Sequence, residues 1–332
     1  MDLSVVWFIL MGVLLAGYSI LDGFDLGAGI LHLTARTDTE RRLVINSIGP
    51  IWDGNEVWLI TFGGAMFAAF PNAYATVFSG FYIALMLVLL TLILRAVSLE
   101  FRSKRPSPAW RKFWDGAFFL GSLLATLLFG VATGNILIGI PVDAEGVFTG
   151  SFFDLLRPFP ILVGLFTVVF AALHGALYLN LKTEGELQER VRGWIKKVLV
   201  AAVLVWALVT VYTWVAVPAA SGWPWALVVL IALAFAGILP AVSAGRPFVA
   251  FLCSSLAIAV LVFLFSFAIY PNLVISNIAP EYNLNIVNAA SSPKTLGVMT
   301  VIAAVGVPVV LIYTALIYRA FRGKTKLTDH SY

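Results

Sequence analysis

Charge, histidine and cysteine are all scarce in this sequence, and each shortage removes a class of protein. Of 332 residues only 11% are Asp, Glu, Lys or Arg, against 61% hydrophobic, and the mean hydropathy is +0.98. A soluble domain carries about 25% charged and about 45–50% apolar residues, so a water-soluble fold is excluded. The one cysteine, Cys253, lies inside an apolar run, which leaves no disulfide and no CxxC metal site within the chain. The three histidines are His32, His174 and His330. They supply no pair of transmembrane residues of the kind that holds a haem. His174 reads as the only buried candidate, and a lone helical histidine is more often a hydrogen-bonded packing residue. Met11, Met66, Met86, Met299 and Cys253 read as core. The expectation is a chain that by itself binds neither haem nor metal. The net charge of +4 does not point to nucleic acid either, because the cations line one membrane face.

Apolar segments fill the remainder. Runs long enough to span a bilayer, about 20 residues each, fall near 5–33, 50–70, 76–100, 113–139, 159–181, 196–217, 223–243, 248–270 and 296–319. They predict an all-α integral membrane protein, residues 1–332 forming one membrane domain with about nine transmembrane helices. The chain opens Met1-Asp2-Leu3 and enters the first run directly, without the basic segment of a secretory signal, so that run reads as the first mature helix. Pro71-Asn72, Pro218 to Pro224, Pro247 and Pro271-Asn272 punctuate the connections. Segments 141–157 and 272–295 read as extramembrane loops. Lys and Arg divide 18 to 2 between alternate sets of connections, with Arg95 inside the third run. By the positive-inside rule the N-terminus is outside and the C-terminus cytoplasmic. Trp7, Trp214, Trp223 and Trp225 toward the outer face, and Trp110, Trp114 and Trp194 toward the inner, fit aromatic belts. Leu21-Asp22-Gly23 is echoed by Leu173-His174-Gly175, a weak sign of duplication of four helices.

Ionisable residues inside spans are costly and therefore candidates for function. Asp22 and Asp25 lie in the first run, Asp53 and Glu56 early in the second, Arg95 and Glu100 late in the third. At about 1.5 Å per residue, all of them fall toward the cytoplasmic side. The i, i+3 spacings put Asp22 with Asp25, and Asp53 with Glu56, on shared faces. Like carboxylates this close in a poor dielectric titrate as coupled groups, which suits proton exchange. The alternative is that these acids pair with Arg95, Arg36, Arg41 and Arg42 to hold helix ends. Gly23, Gly27, Gly130 and Gly134 give GxxxG spacing for close helix packing.

Leu21-Asp22-Gly23-Phe24-Asp25-Leu26-Gly27 resembles the DGFDxG signature of subunit II of cytochrome bd-type quinol oxidases, and Trp52-Asp53-Gly54-Asn55-Glu56-Val57-Trp58-Leu59 resembles that family's WDGNxVWL segment. Asn46 to Pro50, Phe78 to Tyr82, Phe101 to Lys104, Trp110 to Trp114 and Gly134-Asn135 match in the same order. The resemblance implies two four-helix bundles, residues 1–140 with the buried acids and 155–272, plus a peripheral ninth helix at 295–320. It also implies a cytoplasmic-membrane complex that oxidises quinol and reduces dioxygen to water. Haem b and haem d would then sit in a partner, subunit I, with a small single-helix subunit, lipid and quinone as further partners. By the same likeness Asp22, Asp25, Trp52, Asp53 and Glu100 fall on a cytoplasmic proton path, and the i, i+3 spacing from Asp53 adds Glu56 to it. Glu100 stands where family members have Asp, and Glu56 where they often have Gln; the connection at 218–224 lacks an insertion some members carry.

Two other readings compete. A proton-coupled secondary transporter would also carry paired acids, but it predicts broken helices around a midplane site, whereas the charges here crowd one face. An inert scaffold for a catalytic partner differs from the proton-path reading only in whether the acids matter.

Overall fold

A computed structural model describes residues 2–216 and 224–327. The Pro218–Trp223 stretch of the connection, with Trp223 itself, and His330 lie outside the described residues. Among the described residues eleven α-helices follow one another: α1 Leu3–Leu31, α2 Asp38–Ile48, α3 Trp52–Ala69, α4 Pro71–Gly80, α5 Tyr82–Phe101, α6 Pro108–Ile138, α7 Pro158–Lys182, α8 Gly185–Ala216, α9 Trp225–Ser243, α10 Pro247–Ile269 and α11 Pro293–Ala320. Their starts are written in the sequence. The Asp2 carboxylate accepts from the Ser4 N–H at the head of α1, and Ser107 caps α6. Proline opens α4, α6, α7, α10 and α11, where its missing N–H costs no helical hydrogen bond.

Eight of these helices, among the described residues, are long and apolar enough to cross a membrane. The exception among the nine expected spans is α3, whose first turns carry Asp53, Asn55 and Glu56; it nonetheless packs along α1. The run expected at 76–100 is broken into α4 and α5 at Phe81. There a Cβ on Gly80 would stand 3.0 Å from Phe148, so the 139–157 segment presses on the turn. The amphipathic α2 is additional to the expected spans, being too short to be one; Thr37 and Glu40 form its capping box. Two side-chain readings change as well. Trp7 is buried and donates to the Leu296 carbonyl at 3.2 Å and Thr300 Oγ1 at 3.1 Å, so it pins α11 rather than sitting in a belt. Met86 is exposed.

Helix α1 lies at the centre, against α3, α6, α7 and α10. Its contact with α7 is backbone to backbone: a Cβ on Gly27 would collide with the Ala171 carbonyl oxygen, and one on Gly175 with the Gly27 carbonyl carbon. Gly130 makes the same close approach between α6 and Gly164 of α7. The two helices that carry the echoed Asp22-Gly23 and His174-Gly175 are thus direct neighbours. Helix α11 lies against α1 and α3 with most of its surface exposed. At the end opposite the basic connections, the expected loops are tied together. Ile140 pairs with the 275–277 segment (N–H to Ile275 O, 3.0 Å), and β1 Asn272–Val274 runs antiparallel to β2 Leu284–Asn285.

Candidate functional site

Asp22 and Asp25 are both fully buried, yet they face different neighbours. Asp22 receives both terminal nitrogens of Arg95, from α5, at 2.5 and 3.2 Å. This bidentate pair is itself completely buried. Glu56 of α3 approaches the same guanidinium at 3.8 Å and keeps some exposure. Asp25 takes no arginine. Its Oδ2 accepts from Asn55 Nδ2 at 2.7 Å, and its Oδ1 is buried with no partner among the described residues. Asn55 Oδ1 in turn accepts from the Tyr318 hydroxyl of α11 at 2.8 Å. Three carboxylates, one guanidinium, an amide and a phenol therefore meet between α1, α3, α5 and α11. Among these carboxylates, Asp25 Oδ1 is the buried oxygen with no partner among the described residues.

The other expected residues lie outside this cluster. Asp53 is exposed, so the Asp53/Glu56 spacing does not bring both acids into the buried group. Three residues turn a helix about 60° short of a full circle, enough to straddle the edge of the buried face. Trp52 is half-buried. Glu100 is half-buried about 7.5 Å along α5 from Arg95 at the helical rise.

A second buried network stands apart from the expected acids. Asp115 of α6 accepts from His32 Nε2 at 2.6 Å, Arg102 Nε at 2.5 Å and Arg41 Nη1 at 2.7 Å. Arg102 and Arg111 also reach Asp38 at 2.8 and 3.0 Å. His32, ten residues beyond Asp22, places this network about 15 Å further along α1. The available signal was the ring of cations at 102–112 and 36–42, which demands buried acids nearby. Arg41 therefore pairs with Asp115, while Arg95 takes Asp22 and stands near Glu56.

The two described histidines differ in how their ring nitrogens are used, His32 Nδ1 having no partner among the described residues. His174 is fully buried with both ring nitrogens in use, to Ser254 Oγ at 2.8 Å and the Ile20 carbonyl at 3.0 Å, and it stacks on Phe251. His32 proves to be buried too, which corrects the reading of His174 as the one buried candidate; its Nε2 is committed to Asp115 and its ring meets Phe118 edge-on. Among the described residues no group of three or more His, Cys, Asp or Glu could hold a metal ion.

The family described as cytochrome bd terminal oxidase subunit II matches residues 3–321. The chain is 38% identical to cytochrome bd-I ubiquinol oxidase subunit 2 of Escherichia coli K12, over 98% of this chain and 96% of the relative. It is 35% identical to cytochrome bd ubiquinol oxidase subunit 2 of Bacillus subtilis, over 97% and 96%. A solved bd oxidase structure from Geobacillus thermodenitrificans shares the fold, with a TM-score of 0.80 at 18% identity over 97% of this chain and 99% of that one. The chain belongs to the cytochrome bd terminal oxidase subunit II family.

Proposed function

We propose that this chain supports a haem-bearing subunit I in a cytoplasmic-membrane quinol oxidase and supplies part of the route by which protons reach the dioxygen-reducing centre. The relatives named as ubiquinol oxidase subunits support the first half. Quinol as substrate, haem b and haem d in the partner, and lipid, quinone and a small single-helix subunit as neighbours belong to the same reading. The division into bundles at 1–140 and 155–272 with a peripheral 295–320 helix belongs to the same reading, as does an outer N-terminus and cytoplasmic C-terminus, supported by the basic connections.

The observation that carries the proton role is Asp25: a fully buried carboxyl with one oxygen unpartnered, beside an Asp22–Arg95 pair that is already neutral overall. Reducing dioxygen to water consumes protons, and drawing them from the cytoplasm while quinol releases its own outside builds membrane potential. In this arrangement Asp22 is the fixed countercharge to Arg95. Asp25 and Glu56 exchange protons, while Asp53, Glu100 and the flanking Trp52 form the approach from water. Asp25→Asn and Asp53→Asn in the assembled complex should each lower steady-state quinol oxidation at least about tenfold, or about 1.4 kcal/mol on the limiting step, with haem content unchanged. Glu100→Gln should act more mildly, lying nearest the water. Full turnover and potential in the Asp25 and Asp53 variants would leave the acids as scaffold.

A further inference from the structure

Helix α11 is held by very few side chains. Among its described residues only Leu296 is buried, while Val301, Ile302, Val305, Val309 and Ile312 are each more than 60% exposed. Trp7 grips its first turns. At its other end Lys182 Nζ donates to the Phe321 carbonyl at 2.6 Å, and the chain beyond returns to α7 through Lys324 Nζ to the Thr183 carbonyl at 2.7 Å. Between these anchors the half-buried Tyr318 reaches into the protein and ends on Asn55.

A carboxamide is two-faced: turned one way it donates to a neighbour, turned the other it accepts. Turning the amide would make the phenol oxygen accept from Nδ2 and leave its own O–H hydrogen without that acceptor, so a hydroxyl hydrogen bound to Oδ1 favours the first orientation. With Tyr318 donating to Asn55 Oδ1, the Nδ2 group is aimed at Asp25 Oδ2 and donates there, so Oδ2 is held as an acceptor. A proton arriving at Asp25 then sits most favourably on Oδ1, making a neutral carboxylic acid and breaking no other bond. Without the phenol the amide can turn and offer Oδ1 to a protonated Oδ2, and the carboxyl would hold its proton on the opposite side.

We propose that Tyr318 is a positioning residue that locks the Asn55 carboxamide and so determines which oxygen of Asp25 carries the proton. This rests on the proton role assigned above to Asp25. The peripheral helix is then a part of the proton site, contributed across 263 residues of sequence.

The test uses the intact oxidase complex. Tyr318→Phe keeps the ring and removes the hydroxyl. We expect turnover to fall about threefold or more with haem content and the KM for quinol unchanged. In redox-difference infrared spectra, the carboxylic C=O band that Asp25→Asn abolishes should move. Added to Asp25→Asn, Tyr318→Phe should slow the residual turnover no further, because its target is gone. Trp7→Phe, which loosens α11 at its other anchor, should leave the band in place. An unmoved band and full turnover in Tyr318→Phe, with Asp25→Asn still slow, overturns the role of Tyr318 alone. A band moved equally by Trp7→Phe also overturns it, since the effect would then be one of helix placement. Full turnover in Asp25→Asn overturns the proton reading and this proposal together. Should Tyr318→Phe lose haem, Asn55→Leu read by the same band decides: movement supports the proposal and an unmoved band refutes it.

Discussion

Among individual residues, the strongest contrast is between two arginine–aspartate pairings at the basic end. Asp115 is 1% exposed and is the common acceptor for His32, Arg41 and the buried Arg102. Asp115→Ala leaves Arg102 and His32 buried without that counterion, and breaking such a pair costs about 3–5 kcal/mol; low yield or early thermal unfolding of the complex would be the measured result. Arg111→Ala removes only the half-exposed bond to Asp38, a surface pair of about 0–1 kcal/mol, and should melt almost normally. Glu40 on α2 offers a test by pH. Burial opposes its charge, but the N–H groups of Arg36 and Thr37 and the Arg190 guanidinium outweigh it and hold the carboxyl below its ordinary value. A depressed folded value stabilises fully above the unfolded one, about 4.3, and that stabilisation is lost as pH falls through the folded value. Glu40→Gln should therefore lower the melting temperature near neutrality and narrow its further fall below about pH 5.

Among the helices, glycine decides how near two axes come. At Gly27 the added methyl of alanine runs into the Ala171 carbonyl, and a backbone cannot step aside as a side chain can. Gly27→Ala should cost about 1–3 kcal/mol or more through overpacking, seen as a lower melting temperature or loss of assembled complex. Gly193, inside α8 and exposed, has nothing within 4 Å of an added Cβ. There alanine should raise helix stability by up to about 1 kcal/mol, and melting temperature should hold or rise. The difference was invisible in the GxxxG spacing, which singled out Gly23 as readily as Gly27. Gly23 has only a loose neighbour, His174, at 3.8 Å.

For the whole molecule, orientation is the testable quantity. A reporter fused after Lys326 should be active only as a cytoplasmic fusion, and one placed at 144–146 only as an external one; the reverse pattern would invert the proposed proton route. The sequence by itself determined the membrane class, eight of the nine expected spans, with the third beginning later than expected, and the crowding of acids in the first three apolar runs. Hydrophobic length and the position of a charge along a helix are local properties, readable without knowing any neighbour. Only the tertiary structure decided how the acids are paired and buried. Uniformly apolar helices have little contrast between faces, so the rotation of each about its axis comes from packing against all the others. That rotation gave Arg95 to Asp22, left Asp53 at the surface and gathered His32, Arg102 and Asp115 into one network. It also brought Tyr318 to Asn55, a meeting no spacing rule predicts, because it depends on where α11 comes to rest beside α1 and α3.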